Sequence, residues 1–192
     1  MSGSSEPKFI GKRISVVRSK KDIVITIGQK IERWQEALLV TWLLAWTFCG
    51  VVFIKYAIQS PSQSEKIFFI VSTALWAYFF VRIFKVYLWR KGGREIVRIS
   101  QGQLELMNAY WKRALPETFP IKSIFKLGVI KQDPGNFFAF LDNSFWIIGG
   151  ERIGFSFNGT KIRFGKQLDP KDTELLLRVV ESGIREFGKE KN

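Results

Sequence analysis

The chain has 192 residues and a formal net charge of +13, from 30 Lys and Arg against 17 Asp and Glu. It contains no histidine and a single cysteine, Cys49. The commonest general acid/base and metal ligand is therefore missing, and no internal disulfide can form. These properties argue against an enzyme, and we expect no catalytic residue, no cofactor and no metal.

The first 36 residues are polar and partly strand-like. The stretches "RISVVRS" and "DIVITIG", joined by "KK", predict a β-hairpin in a cytoplasmic N-terminal segment, residues 1–36, with residues 1–8 as a disordered tail. Whether these strands join a later sheet is left open by the sequence. An apolar run begins only after this segment and no small-residue cleavage site follows it, which argues against a signal peptide.

Two apolar runs predict a pair of membrane helices. Residues 37–54 carry no charge, and as a helix they cover about 27 Å, close to the hydrocarbon thickness of a bilayer. Lys55 can reach the interface from near the helix end, so we place the first transmembrane helix over residues 37–58. The polar stretch "QSPSQSEK", residues 59–66, predicts an extracytoplasmic loop, and residues 67–89 form the second transmembrane helix.

The second apolar run ends in the basic and aromatic stretch "RIFKVYLWRKGGR". This composition is typical of a helix that leaves a membrane on the cytoplasmic side, because basic side chains meet anionic head groups and aromatic rings lie at the interface. The predicted contacts with anionic lipid are Arg82, Lys85, Arg90, Lys91 and Arg94. The predicted interface anchors are Trp34, Tyr87 and Trp89. Basic residues flank both outer helix ends and are sparse near the loop, so both termini are expected in the cytoplasm.

Small residues recur every four positions on both predicted helices. They are Thr41, Ala45 and Cys49 on the first helix, with Thr73 and Ala77 on the second. Small side chains let helix backbones approach closely. The two helices therefore pack on each other through these residues, or this face binds a partner helix.

From Arg94 onward, short strands bounded by turns predict a cytoplasmic domain over residues 94–188. The predicted strands cover residues 94–99, 104–110, 118–120, 121–132, 137–141, 152–157 and 161–165. "WKRALPE" is interpreted as a polar break, "DPGN" as a turn and "NGT" as a hairpin turn. An amphipathic helix follows, with Asp169 at its N-cap, Pro170 at its first position and Gly188 at its C-terminal cap.

This architecture resembles a known family. Two helices after a short N-terminal segment, then strands, the stretch "RIGFSFNGTKIRFG" and a final helix are similar to bacterial membrane proteins with a C-terminal pleckstrin-homology-like (PH-like) domain, whose function is uncharacterised. The resemblance implies a membrane helical hairpin plus a small, mainly-β, PH-like barrel capped by the C-terminal helix. It also implies the bacterial inner membrane, and a binding or scaffolding role.

Two functions follow as hypotheses. The first is a non-catalytic membrane subunit, scaffold or assembly factor that docks on other membrane proteins. It is motivated by the missing catalytic groups and by aromatic residues that look exposed, namely Trp111, Phe137, Phe138 and Trp146. The alternative is a self-assembling pore weakly lined by Thr41, Thr47, Ser72 and Thr73. The expected partners are anionic lipids and other membrane proteins or further copies of the chain, and not nucleic acid.

One further basic cluster has two interpretations. Lys161 and Arg163 alternate on one predicted strand face, with Arg152 on the preceding strand. The cluster is either a solvated basic face or a contact for anionic lipid.

Overall fold

Two long apolar helices interrupt a mainly-β chain that ends in an amphipathic helix. The computed structural model describes residues 6–29, 31–110, 113–130 and 147–188. The chain divides into two compact units, of which one is Ile31–Lys91 and the other comprises the residues before and after it. We call the first unit the helical hairpin and the second the β-region.

The helical hairpin consists of α1, Arg33–Gln59, and α2, Gln63–Gly92. Both helices are long and apolar enough to cross a membrane. They extend beyond the uncharged runs because charged residues are tolerated at helix ends, and this shortens the predicted loop to residues 60–62. Glu65 lies in the first turn of α2, where the helix dipole favours a carboxylate, and it accepts a hydrogen bond from Ser60 Oγ at 3.0 Å.

Six strands form one antiparallel sheet in chain order. They are β1 (Lys8–Ile10), β2 (Ile14–Arg18), β3 (Asp22–Gly28), β4 (Arg94–Ser100), β5 (Gln103–Tyr110) and β6 (Arg113–Pro120). The N-terminal hairpin belongs to this sheet, because β3 pairs with β4 along its whole length and Gly28 lies opposite Arg94. The helical hairpin is therefore an insertion between two neighbouring strands.

The predicted polar break "WKRALPE" is wrong over its described part, because β6 begins at Arg113. Its proline is tolerated because β6 is the last strand in the order, where a missing backbone N–H costs no pairing on the outer side. Pro116 lies opposite Met107 of β5. Leu115 is 81% exposed, which explains why the pattern does not resemble a half-buried strand.

A second sheet contains β7 (Phe125–Val129), β8 (Glu151–Phe157) and β9 (Thr160–Lys166). Asn158 and Gly159 join β8 to β9 with φ of 47° and 78°, the left-handed pair that a two-residue hairpin turn requires. The predicted strand 121–132 is divided, because Ile121–Ser123 form a 3-10 turn before β7. The predicted strand 137–141 and turn 133–136 lie outside the described residues.

The expected closed barrel is not found in the described ranges, where strand pairing gives two separate sheets. The core lies between these sheets and the C-terminal helix α3, Pro170–Phe187. Gly183 of α3 lies against Ile99 and Ile23, so close that a Cβ would stand 2.8 Å from Ile99 Cδ1. Asp169, Pro170 and Gly188 occupy the N-cap, the first turn and the C-cap as predicted. Asp169 makes no side-chain capping hydrogen bond, and Gly188 has a right-handed φ of −77°.

Candidate functional site

A buried ion pair lies where the chain re-enters the β-region after the helical hairpin. Glu95 of β4 is 2% exposed. Its Oε2 accepts hydrogen bonds from the backbone N–H groups of Gly165 and Lys166, each at 3.0 Å. Its Oε1 lies 3.2 Å from Nζ of Lys166, which also donates to Asn108 Oδ1 at 2.8 Å. These contacts join the two sheets, because Glu95 and Asn108 are register partners in the first and Lys166 ends the second.

Arg13 makes the matching connection where the chain leaves the β-region for the helical hairpin. Its guanidinium donates to the carbonyl of Gly28 at 2.9 Å and to Gln29 Oε1 at 2.9 Å. It also donates to the carbonyls of Gln167 at 2.7 Å and Lys166 at 3.3 Å. Because the planar guanidinium carries five donors, a single side chain can hold both segments at once.

The surroundings of Arg13 are partly desolvated. Burial lowers the pKa of the Arg13 guanidinium from its ordinary value, and the carboxylates of Asp169, Asp172 and Glu95 oppose that effect. Arg13 and Glu95 therefore tie both connections of the helical hairpin to one short segment, residues 165–167. We call these contacts the junction cluster.

A polar cleft of about 330 Å³ lies beside the junction cluster. Side chains of both charge signs line it, including Glu117, Glu151, Lys161 and Arg163. Lys166 also approaches Glu151 at 3.9 Å. The described residues contain no group of three or more His, Cys, Asp or Glu side chains that could hold a metal ion. The charged groups of the junction cluster pair with one another and so hold the two sheets together.

Sequence reasoning missed both Glu95 and Arg13. A signal for Glu95 was present, because it shares the inward face of β4 with Val97 and Ile99, which are fully buried. A lone acid on an apolar face indicates a buried partner. Lys166 has the same signature, on the inward face that carries Phe164. Arg13 precedes a strand and gave no comparable signal.

The small-residue stripe predicted on α1 does not face α2. Thr41, Ala45 and Cys49 are exposed in the structure. The helices instead meet at Trp46 and Trp76, whose indole N–H groups each donate to the other residue's backbone carbonyl, at 3.2 and 2.6 Å. The contact between the helices therefore runs along the face of α1 that carries Trp46 and Gly50.

Gly50 provides the close approach that the exposed stripe was expected to provide. It is buried, and a Cβ there would overlap the ring of Trp76. Further along the hairpin, Tyr56 stacks on Phe69 with ring centroids 5.2 Å apart. On α2, Thr73 and Ala77 are half-buried, next to Trp76 in sequence. The second possibility for the α1 stripe, contact with a partner helix, stays a prediction.

The predicted lipid contacts divide by exposure. Arg82, Lys85, Lys91 and Arg94 are exposed, and their contact with lipid stays a prediction. Arg90 is buried, so its side chain does not present its charge to a lipid surface. Val86, Trp89 and Arg90 lie at helical spacing, which indicates that one face of α2 is covered near its end.

The predicted interface anchors divide in the same way. Trp34 is exposed and Tyr87 is half-buried, whereas Trp89 is 4% exposed and is not available as an anchor. Lys91 Nζ lies 3.0 Å from Glu36 Oε1, so an ion pair joins the outer ends of α1 and α2. Trp111, Phe137, Phe138 and Trp146, predicted as exposed aromatics, lie outside the described residues.

Comparison with known protein families, with curated proteins and with solved structures finds no match to this chain. The class of this protein is therefore described from its own architecture. It is a mainly-β chain with a C-terminal helix, into which two helices of membrane-spanning length and apolarity are inserted.

Proposed function

We propose that this chain is a non-catalytic integral membrane subunit, scaffold or assembly factor. Its helical hairpin would span a bacterial inner membrane, and its β-region would be a cytoplasmic PH-like domain that docks on other membrane proteins. The observation that carries the proposal is the insertion of two exposed apolar helices between paired strands of one sheet.

Exposure of the helices favours a membrane over a soluble core. The most apolar windows of α1 and α2 have mean hydropathies of 2.2 and 2.0, yet only 17% and 0% of their residues are buried within the chain. A core helix of a soluble protein would be mostly enclosed by its own chain. Apolar surface on this scale needs lipid or other membrane proteins to cover it.

Strand pairing supports the orientation. β3 leads into α1 and β4 follows α2, and the ends of these strands, Gly28 and Arg94, are Cα partners. Neighbouring strands lie about 5 Å apart, so both outer helix ends start from one place on one sheet. A hairpin anchored in this way returns to the side from which it left. Basic flanking residues favour the cytoplasm as that side.

The PH-like assignment rests on the order of elements. After the helical hairpin, the described residues give six strands and then one amphipathic helix. The helix packs on the core shared by both sheets. This order is what the resemblance implies, with two separate sheets in place of the closed barrel.

A docking role is supported by apolar side chains that the β-region leaves in solvent. Leu115 of β6 is 81% exposed and Phe125 of β7 is 62% exposed. An apolar groove of about 400 Å³ lies between β7 and α3, lined by Ile121, Ile124 and Ile184 among others. Exposed apolar surface of this kind is typical of protein–protein contact. The ions of the junction cluster, by contrast, are occupied in joining the two sheets.

The pore alternative receives less support. The hydroxyl groups of Thr47, Ser72 and Thr73 donate to the carbonyls of Leu43, Phe68 and Phe69, four residues earlier on their own helices. Hydroxyl groups engaged in this way offer a pore only their acceptor lone pairs.

Affinity purification from native membranes in mild detergent, followed by determination of the mass and composition of the complex, tests the docking role. We expect a reproducible set of other membrane proteins, and Leu115→Ala with Phe125→Ala should reduce its recovery. Lys171→Gln, at an exposed position on α3, is the control and should keep the partners. A partner-free monomer would contradict the proposal, and a homo-oligomer alone would favour the pore.

A further inference from the structure

The outer face of the three-stranded sheet carries a groove of about 290 Å³. Its floor contains Gly128, Gly154 and Ser156, and Lys126, Lys161 and Arg163 contribute the charged lining. Strand register explains the arrangement, because Gly154 pairs with both Gly128 and Arg163, and Ser156 pairs with Lys161. We call this feature the basic groove.

Gly128 leaves part of the floor of the basic groove bare, whereas a Cβ on Gly154 would stand 3.1 Å from Ile130 Cδ1 because the Ile130 side chain lies over it. A Cβ on Gly128 would meet no atom within 4 Å, so the missing side chain leaves open space. Glycine inside a strand costs stability and gives no packing, and it often marks a place where a ligand approaches the backbone. The open space at Gly128 therefore forms a shallow depression beside Ile130.

A β-bulge adds the third cation to this face. The register between β7 and β8 shifts between Phe125 and Gly128, and Lys126 has a φ of 53°. Leu127 keeps the inward position and packs against the core, so Lys126 is the extra residue and lies exposed. Left-handed backbone is unfavourable for a lysine, and bulges often re-aim a side chain at a functional site.

Among the described residues, the lining of the basic groove contains three cations and no carboxylate. Lys161 and Arg163 also line the polar cleft, where the nearest carboxylates are found. Within the described ranges, no hydrogen bond or ion pair involves the side chains of Lys126, Lys161 or Arg163. Like charges gathered on one small face repel each other, and a bound anion relieves that repulsion. Arg152, grouped with this cluster on sequence grounds, is not part of the lining.

We propose that the basic groove binds a phosphate monoester. A phosphomonoester carries a charge of about −1.5 to −2 at neutral pH and three acceptor oxygens, which suits three cations around a small depression. The guanidinium of Arg163 matches phosphate geometry, while the two lysines act as point charges. The phosphate belongs to a lipid head group or to a soluble ester. This site is independent of the proposed docking role.

Titration of the full chain in phosphatidylcholine nanodiscs with glycerol 3-phosphate tests the site by calorimetry. We expect saturable binding that Lys161→Gln and Arg163→Gln each weaken about tenfold, since hydrogen bonds to charged groups have this strength. Gly128→Val keeps every charge but covers the floor, and it should abolish binding. Lys171→Gln, which removes an exposed charge elsewhere, should leave the affinity unchanged.

A second arm distinguishes the two sources of phosphate. If phosphatidic acid in the nanodisc weakens the binding of glycerol 3-phosphate, the lipid head group reaches the basic groove, and if it does not, the ligand is soluble. Either result supports the site. The proposal is overturned by absence of saturable binding, by unchanged affinity in Gly128→Val, or by an equal loss in Lys171→Gln, since the last two would indicate a diffuse basic surface.

Discussion

At the scale of single residues, the ion pair between Glu95 and Lys166 is a buried contact between the two sheets. Both groups are withdrawn from water, and the carboxylate is held by two backbone N–H groups as well as by the ammonium. A buried pair contributes little beyond an apolar pair of the same shape, but removing one partner leaves an uncompensated charge.

Lys166→Met should lower the free energy of unfolding by about 3 kcal/mol, because Glu95 then stays buried without its counter-ion. Urea denaturation of the full chain in mild detergent, followed by circular dichroism, measures the change. Arg178→Met is the control, since Arg178 pairs with Glu174 on the exposed face of α3 at 4.0 Å. Its loss should be below about 0.5 kcal/mol. Equal effects in the two variants would contradict a buried structural role for the pair.

Arg13→Lys is expected to loosen the junction cluster although the charge is kept. One ammonium group cannot replace a planar fork that reaches four acceptors on two segments. Amide hydrogen exchange should become faster by about tenfold in peptides covering Gly28 and residues 165–167, as a loss of about 1.4 kcal/mol requires. Unchanged exchange there would show that Arg13 is dispensable, and Arg178→Lys is the matched control.

At the scale of elements, the helical hairpin shows where sequence reasoning succeeds and where it stops. Uncharged runs predicted two helices of spanning length, and both are present. The face by which they meet was not predictable from small residues alone, because Trp46 and Trp76 exchange hydrogen bonds across the hairpin. Aromatic donors in apolar surroundings need partners, and the opposite backbone supplies them.

Gly50→Val should separate the helices, since the new side chain would occupy the place of the Trp76 ring. The loss of packing and of two interhelical hydrogen bonds, each about 0.6 kcal/mol, should lower the SDS concentration at which the hairpin unfolds. Tryptophan fluorescence reports the transition. Ala45→Val lies on the exposed stripe and should leave that SDS concentration unchanged. A larger effect of Ala45→Val than of Gly50→Val would indicate that the helices meet through the stripe.

Local patterns predicted where most strands lie in the sequence, but not which strands pair with each other. Alternation placed β4, β8 and β9 closely, and the "NGT" turn adopted the expected backbone. The edge strand β6 was not predicted, because the exposed Leu115 and Pro116 interrupt the alternation of buried and exposed residues that marks a strand. The pairing of β3 with β4 joins segments separated by the whole helical hairpin, and no local pattern encodes such a contact.

For the molecule as a whole, most elements were predictable, but the contacts between distant segments were not. The hydrogen bond from Lys166 to Glu95 joins positions 71 residues apart. Composition predicted two membrane helices, and the structure adds that the strands before and after them are paired in one sheet. The basic groove similarly depends on a bulge and a register that no run of residues reveals.

Cysteine labelling in intact cells tests most directly whether the helical hairpin spans the membrane with the β-region inside. In a Cys49→Ala background, Ser62→Cys lies between the helices and Lys171→Cys lies on α3, both at exposed positions. A membrane-impermeant maleimide should label Ser62→Cys in intact cells and Lys171→Cys only after permeabilisation. Labelling of both positions in intact cells, or of Lys171→Cys alone, would contradict the account.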